Sequence, residues 1–183
     1  MTLSSHKLGG PQGAGALICR AGVDPPVLLT GGGQEKRRRA GTENIPAIAG
    51  FGSAAAHAAE TVHEFQALKK LQDKLENGLR VLAEDVVIFG AGAERVANTT
   101  CFSVPGTQAE TLLIALDLEN IAVSSGSACS SGKVKKSHVL KAMGFDDQAI
   151  AGALRVSTGW GSSEADIDRF LEAFTKILNR IRK

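Results

Sequence analysis

The sequence predicts an α/β fold, in which short strands alternate with the helices that cover them. Runs such as residues 99–104 combine β-branched and apolar side chains, a composition typical of strands. Two longer segments, near residues 64–83 and 163–181, instead place apolar residues three and four positions apart, which puts them on one face of a helix. Strands that alternate with helices in this way make an α/β or α+β domain.

The overall composition is that of a globular protein without a strong charge bias. The chain has 183 residues, of which 43% are hydrophobic and 22% charged, with a formal net charge of +2. This charge gives no electrostatic reason to expect binding to nucleic acid or to a membrane. We expect neither a membrane span nor a signal peptide. Three cysteines lie far apart and match neither a metal motif nor a disulfide framework, so a reducing, cytoplasmic setting is predicted.

The first part of the chain is rich in glycine and predicts little core of its own. Residues 1–13 suggest a loop without a strand, residues 13–19 a short strand that buries Cys19, and residues 27–29 a second strand. Residues 31–39 combine three glycines with four basic residues, which suits anions, although a solvated charge run is the commoner interpretation. A helix is predicted from an Asn44 N-cap to about residue 62.

The remaining elements follow from periodicity and capping signals. A helix is predicted over residues 64–83, and a capping box at residues 163–166 starts the last one. The other predicted elements are strands 86–89, 99–104, 121–123 and 154–157 and helices 108–119 and 137–143. The composition changes near residue 62, so we predict a division into residues 1–62 and residues 63–183.

One cysteine lies in a segment made of small residues. Residues 124–132 are serine, glycine and alanine except for Cys129. Glycine and serine favour turns, so the segment is predicted to form a polar loop that carries a thiol. A thiolate on such a loop could act between a cofactor and an outside acceptor. The alternative is a flexible linker in which the cysteine is incidental.

Two cationic side chains lie in unusual surroundings. Lys7 falls between His6 and a Gly-Gly-Pro turn, where its amine could form a Schiff base with an electrophilic carbonyl. A surface lysine is the alternative. Arg155 lies in an otherwise apolar strand, where it could bind a substrate carboxylate, form an internal salt bridge or occupy a sheet edge. Cys101 alternates with bulky apolar neighbours and is predicted to be a core residue.

Four motifs, in this order along the chain, resemble the signatures of cysteine desulfurases. Residues 4–15, with Ser-Ser-His-Lys followed by Gly-Pro-Gln-Gly, look like the cofactor loop of that family. Residues 33–44 are similar to its next signature, and residues 124–144 to its active-site cysteine segment. Residues 154–157 and the closing helix complete the match. The long Ser/Gly loop resembles the branch that contains NifS and IscS.

The resemblance implies a fold-type I, pyridoxal phosphate-dependent transferase of the class V aminotransferase family. The chain matches its C-terminal portion, with residues 1–62 as the remainder of the large domain and residues 63–183 as the small α+β domain. Lys7 then forms a Schiff base with the cofactor aldehyde, and Ser4 and His6 contact its phosphate. Thr42 reaches the phosphate at the neighbouring subunit's site in a homodimer.

The resemblance also implies roles on the substrate side. Arg155 binds the carboxylate of L-cysteine, and Cys129 attacks the substrate sulfur, which yields alanine and a persulfide on Cys129. The sulfur then passes to an acceptor or scaffold protein for iron–sulfur cluster assembly. No metal ligand set is expected. Selenocysteine as a substrate stays open, as does a related pyridoxal phosphate lyase or aminotransferase.

The family's chains are longer than this one, and their N-terminal half supplies groups that contact the pyridine ring and tune the cofactor's electronics. A non-catalytic folded fragment that only dimerises or docks a sulfur acceptor is therefore the alternative function.

Overall fold

The computed structural model describes residues 1–126 and 137–182. The chain divides into two compact units, Met1–His63 and Glu64–Lys183. The assignment of residues 1–62 and 63–183 to the large and small domains of a longer protein stays a prediction.

The first unit begins with a β-hairpin. Strand β1 (Thr2–Ser4) pairs antiparallel with β2 (Gly15–Leu17), with Leu3 opposite Ala16. A 3-10 turn, Ser5–Lys7, follows β1 directly. The prediction of a loop without a strand over residues 1–13 was therefore wrong. Two three-residue strands form because they pair with each other across the turn, and a window of the sequence around either one carries too few apolar residues to signal this.

Helix α1 (Ile45–Thr61) follows a second 3-10 turn, Gln34–Arg37. The predicted N-cap is confirmed, since the Asn44 side chain accepts a hydrogen bond from the Ala47 N–H at 3.3 Å. This satisfies one of the amides that a helix start leaves without a partner.

Two strand expectations in this unit were wrong. Cys19 lies outside β2 and is half-buried, and residues 27–29 form no strand, with Leu28 89% exposed. In this unit, all of whose residues are described, only Ser5 and Ala47 are buried. This unit therefore offers apolar residues no core to pack into, so strand propensity alone is not enough to form a strand.

The second unit is a four-stranded antiparallel sheet with helices on both faces. A 3-10 segment, Val62–Ala67, precedes its first helix. The elements are α2 (Leu68–Leu82), β3 (Val87–Ile88), β4 (Thr99–Ser103), α3 (Ala109–Leu118), β5 (Ser124–Ser125), α4 (His138–Ala142), α5 (Asp147–Ala151), β6 (Leu154–Ser157) and α6 (Glu164–Ile181). The strand order is β3-β4-β6-β5.

The main core lies between this sheet and helices α2, α3 and α6. Phe102 of β4 is fully buried and meets Phe174 of α6 edge-to-face, with ring centroids 5.5 Å apart. Leu75 and Leu79 of α2 contribute the stripe that the periodicity predicted. Each fully buried side chain of this size stabilises the fold by about 1.5–3 kcal/mol through the hydrophobic effect.

A smaller cluster lies on the other face of the sheet. It joins Phe89 and Ala153 to Leu140 of α4 and Ile150 of α5, and Cys101 packs against it. Because successive strand residues point to opposite faces, Cys101 faces away from the core that holds Phe102. This face of β4 and β6 carries the polar residues of interest below.

Most elements of the second unit were predicted correctly from periodicity and capping signals, with three exceptions. The helix predicted from residue 64 is a 3-10 segment until α2 begins at Leu68. The strand predicted at residues 121–123 was wrong, because the Ile121 N–H donates to the Leu116 carbonyl and pairing with β6 starts at Ser124. Helix α5, whose N-cap is Asp146, was not predicted.

A buried polar network ties α2 to the segment before β4. Glu76 accepts hydrogen bonds from both terminal nitrogens of Arg95, at 2.7 and 3.1 Å, and from the Thr100 hydroxyl at 3.1 Å. Gln72 donates to the carbonyls of Val96 and Thr99, at 3.0 and 2.8 Å. Buried polar groups are stable in a core when they are paired in this way.

Candidate functional site

Lys7 lies in a short turn that is closed by backbone hydrogen bonds. The Ser5 N–H donates to the Ala14 carbonyl at 3.1 Å, and the Ser5 carbonyl accepts from the amides of Leu8 at 3.1 Å and Gly10 at 3.0 Å. His6 and Lys7 lie between these anchors and are exposed. The predicted position of Lys7 in a loop therefore corresponds to a short, hydrogen-bonded turn at the end of β1.

The polar side chains of this turn are free to take a ligand. Among the described residues, no side-chain hydrogen bond or ion pair involves Ser4, His6 or Lys7. The structure thus brings together an amine, an imidazole and a hydroxyl within four consecutive residues of one unit. Phosphate oxygens and a reactive carbonyl are the groups that such donors and such an amine would bind.

Helix α1 supports the turn from behind. A side chain at Gly50 would lie 2.8 Å from the Pro11 ring, and one at Gly13 would lie 3.0 Å from the Asn44 side-chain amide. The backbone that follows Lys7 therefore lies directly against the start of α1. Close contacts of this kind hold the turn in one orientation.

Thr42 lies in the same unit, in the connection that leads into α1. It follows Gly41, whose φ is +103°, and it is exposed. The basic segment just before it contains a left-handed stretch at Glu35, Lys36 and Arg37, with φ between +48° and +65°. Arg38 approaches Asp24 at 3.5 Å.

Arg155 lies in the second unit, at the centre of the sheet. It is half-buried in β6, opposite Cys101 of β4 and Ser124 of β5. The Ser124 hydroxyl donates to the Arg155 carbonyl at 3.4 Å. Within the part of the chain that is described, the guanidinium forms no ion pair, so an internal salt bridge is not found there. An unpaired, half-buried cation is suited to an anionic ligand.

Cys101 is a neighbour of this arginine rather than a deep core residue. It is half-buried, and burial raises the pKa of its thiol while the positive charge of Arg155 opposes that rise. The thiol is therefore mostly protonated at neutral pH. Its predicted place in the core is correct only in part, since it packs at the edge of the smaller cluster.

Cys129 lies outside the described residues, so its predicted role as the nucleophile stays a prediction. Gly126, with φ of +61°, follows β5, and Ser137 caps helix α4 by accepting from the Leu140 N–H at 3.3 Å. Arg155 and Lys7 belong to different units of the chain.

Two residues of the Lys7 turn were not assigned a role from the sequence. Ser5 is fully buried, and its hydroxyl has no hydrogen-bond partner among the described residues. Gly10 lies against that hydroxyl. The only local signal is that both positions hold small residues, which turns commonly do for other reasons.

The described part of the chain contains neither a metal-ligand cluster nor a membrane-spanning helix. No group of three histidine, cysteine, aspartate or glutamate side chains there could hold a metal ion. None of the helices in that part combines the length and the apolar character needed to cross a bilayer.

Comparison with known proteins places these features in a family. The sequence profile of the family described as Aminotransferase class-V matches residues 1–170. The chain belongs to the class-V aminotransferase family. The predicted resemblance to cysteine desulfurases is also confirmed. A cysteine desulfurase from Trichormus azollae is 42% identical over 185 residues, covering 100% of this chain and 46% of that protein.

An archaeal relative shows the same level of similarity. The cysteine desulfurase IscS of Methanosarcina thermophila is 40% identical over 183 residues, covering 100% of this chain and 45% of the relative. The chain thus spans about half the length of the curated relatives it matches.

The structural comparison agrees with the sequence. The NifS-like protein of Rickettsia africae ESF-5 superposes with a TM-score of 0.85 at 40% identity, covering 97% of this chain and 47% of that one. The predicted fold class is confirmed, since these NifS-like neighbours are fold-type I pyridoxal phosphate enzymes and the chain shares their mixed α/β architecture.

Proposed function

We propose that this chain carries the lysine, the thiol and the substrate-binding arginine of a cysteine desulfurase. The observation that carries the proposal is the Lys7 turn, which holds an exposed amine next to Ser4 and His6 in sequence, with no partner for that amine in the described ranges 1–126 and 137–182. Its motif and its place at the end of β1 accompany a sequence 42% identical to a cysteine desulfurase. The cofactor would be pyridoxal phosphate, as the family implies.

The donor set of the turn fits that cofactor. The Lys7 amine would hold the aldehyde carbon, and the Ser4 hydroxyl and the His6 imidazole would donate to the phosphate. Thr42 would contact the phosphate bound at the neighbouring subunit's site in a homodimer. Pyridoxal phosphate, when bound, would supply an electron sink for the electron pair of the broken carbon–sulfur bond.

The remaining residues would act on the substrate. Arg155 would bind the carboxylate of L-cysteine through two parallel hydrogen bonds, because a guanidinium matches a carboxylate in geometry. Lys7 would move protons at the substrate carbons as a general base and acid. The Cys129 thiolate would attack the substrate sulfur, so that a sulfur–sulfur bond forms as the carbon–sulfur bond breaks and alanine leaves. The persulfide on Cys129 would then donate its outer sulfur to an acceptor protein for iron–sulfur cluster assembly.

The proposal is tested with the purified chain, pyridoxal phosphate and L-cysteine in the presence of a thiol reductant. The chain should develop the visible absorbance of a lysine-bound cofactor and should release alanine and sulfide in equal amounts. Lys7→Ala should abolish the absorbance, whereas Lys36→Ala, a matched change in the same unit, should not. Cys129→Ser should keep the absorbance and produce neither alanine nor sulfide.

The same experiment separates the proposal from its alternative. A folded chain that shows no Lys7-dependent absorbance and no alanine would refute the desulfurase proposal. It would favour a chain that dimerises or docks an acceptor without catalysis. Alanine production by Cys129→Ser would reject the thiol as the nucleophile while leaving the role of Lys7 standing.

A further inference from the structure

We propose that Ser5 and Gly10 together position Lys7, as an inner contact that fixes the direction of the turn carrying this lysine. The role assigned to Lys7 rests on the proposed function. The contact itself involves residues of the first unit alone.

The backbone hydrogen bonds that close the turn converge on Ser5. It is fully buried, and its carbonyl accepts hydrogen bonds from both Leu8 and Gly10. The backbone between residues 5 and 10 is therefore a closed loop with Ser5 inside and Lys7 outside. Any displacement of Gly10 relative to Ser5 must be taken up by the residues between them, which include Lys7.

The space for this arrangement exists because residue 10 has no side chain. A Cβ atom at Gly10 would lie 2.2 Å from the Ser5 hydroxyl oxygen, and 3.3 Å from both the Ser5 carbonyl and the Ala54 Cβ of α1. The first distance lies far below the 3.4–4 Å of an ordinary van der Waals contact. The turn is thus held between Ser5 on one side and α1 on the other, and a methyl group at residue 10 would separate them.

Space, and not backbone conformation, is what demands glycine here. The φ of Gly10 lies outside the left-handed region, so alanine could adopt its backbone, whereas Gly9 has φ of +90° and open space around it. The Ser5 hydroxyl is buried, and no group in the described part of the chain forms a hydrogen bond with it. Removing it would relieve both its own desolvation penalty and the contact with a side chain at residue 10.

These relations predict a specific pattern of damage and rescue. Gly10→Ala should displace the turn and slow the reaction of Lys7 with an aldehyde, because displacements near 1 Å are enough to spoil a reactive geometry. Ser5→Ala should have little effect alone. The double variant Ser5→Ala/Gly10→Ala should recover the reactivity of Lys7, because the nearest atom to the new methyl group is gone.

The experiment uses the full chain and pyridoxal phosphate as the probe. After borohydride reduction and digestion, mass spectrometry measures the pyridoxyl adduct on Lys7 relative to the adducts on the other lysines. Gly10→Ala should lower this ratio about tenfold or more, and the double variant should return it to within about twofold of the parent. Ala59→Gly, which weakens α1 through the low helix propensity of glycine at an exposed position near its end, should leave the ratio unchanged.

Three outcomes would overturn the positioning role. They are an unchanged ratio in Gly10→Ala, no recovery in the double variant, and an equal loss in Ala59→Gly. The last result would mean that general destabilisation of the unit, and not this contact, controls Lys7.

A second readout does not depend on the cofactor. Backbone amide exchange of Leu8 should accelerate about tenfold or more in Gly10→Ala, as its bond to the Ser5 carbonyl opens, and should slow again in the double variant. If the parent shows no preference for Lys7 in the adduct assay, the proposed function fails. The exchange rates still decide the positioning role, and equal rates in parent and Gly10→Ala would reject it.

Discussion

Removal of Arg95 should destabilise the second unit, because it leaves the buried Glu76 carboxylate without its bidentate partner. Arg95→Ala deletes two charge-assisted hydrogen bonds and keeps the bond from Thr100 and the approach of Arg80 at 3.6 Å. Breaking a fully buried ion pair costs about 3–5 kcal/mol, whereas exposed pairs contribute about 0–1 kcal/mol. The Glu76 side chain is 5% exposed and that of Arg95 20% exposed. We therefore expect a loss of about 2–3 kcal/mol at pH 7.

The stability lost in Arg95→Ala should decrease as the pH falls. Burial acts to raise the pKa of Glu76, but the hydrogen bonds from Arg95 and Thr100 outweigh it and hold this pKa below its usual value. Native Glu76 thus adds stability above its unfolded pKa and loses it as the pH falls through the lowered folded pKa. In Arg95→Ala, burial dominates and raises the folded pKa of Glu76. The charged carboxylate then lowers stability at neutral pH, and this cost disappears as the pH falls through the raised folded pKa. The difference in unfolding free energy between the parent and Arg95→Ala should therefore shrink as the pH falls from 7 towards about 4.

Amide hydrogen exchange in β4 and β6 measures this free energy, because their amides exchange only when the second unit opens. The fully exposed Trp160 would be a poor fluorescence probe of the same event. Arg180→Ala, which removes an exposed arginine on α6, should change stability by less than about 0.5 kcal/mol. The reasoning is refuted if Arg95→Ala costs no more than this control, or if its cost is the same at pH 4 and pH 7.

Three further substitutions test the second unit. Gly78→Ala should destabilise it by about 1–3 kcal/mol in thermal unfolding, because the new Cβ would lie 2.4 Å from the Leu171 side chain of α6. Gln72→Ala should cost about 1–2 kcal/mol, since two partly buried backbone carbonyls lose their donor. In a chain whose other two cysteines are serine, Arg155→Ala should slow alkylation of Cys101, since loss of the positive charge raises the pKa of this thiol further.

Two of these substitutions, Gly78→Ala and Arg155→Ala, have a matched control. Gly52→Ala adds the same methyl group to α1, where nothing lies within 4 Å, and should stabilise by about 0.5–1 kcal/mol through helix propensity alone. Equal effects of Gly78→Ala and Gly52→Ala would contradict the predicted clash. Glu172→Ala, an exposed change on α6, should not alter the alkylation rate of Cys101. A faster reaction after Arg155→Ala would mean that burial by the arginine side chain outweighs its charge.

The sequence was most informative where the chemistry is local. The Asn44 cap and the capping box between Ser163 and Asp166 each involve residues three apart, and both are present, with the Ser163 N–H donating to Asp166 at 2.8 Å. The apolar stripes of α2 and α6 likewise follow from a repeat within one helix. Strands were predicted less well, because a strand exists only through its partner. Residues 27–29 and 121–123 have strand-like composition, but no partner strand pairs with them in the described structure.

The residues of the candidate site likewise divide into those that the sequence indicates and those that only the structure shows. Lys7, Arg155 and Cys129 could be singled out because each is an unusual residue in its own short segment, and the order of the motifs indicated the family. The contact between Ser5 and Gly10 could not, because two small residues near a turn carry no signal of which one faces inward. The position of Cys101 beside Arg155 depends on the register of β4 and β6.

The sequence by itself therefore determined the α/β class, the start of α1, the amphipathic helices and the family, and it predicted the residues that would carry the family's chemistry. Only the tertiary structure decided that the chain begins with a hairpin, that the sheet runs β3-β4-β6-β5, and that Ser5 lies buried beneath Lys7. The physical reason is the range of the interactions. Caps and helical faces arise within a few residues, whereas strand register and burial depend on segments far apart in the chain.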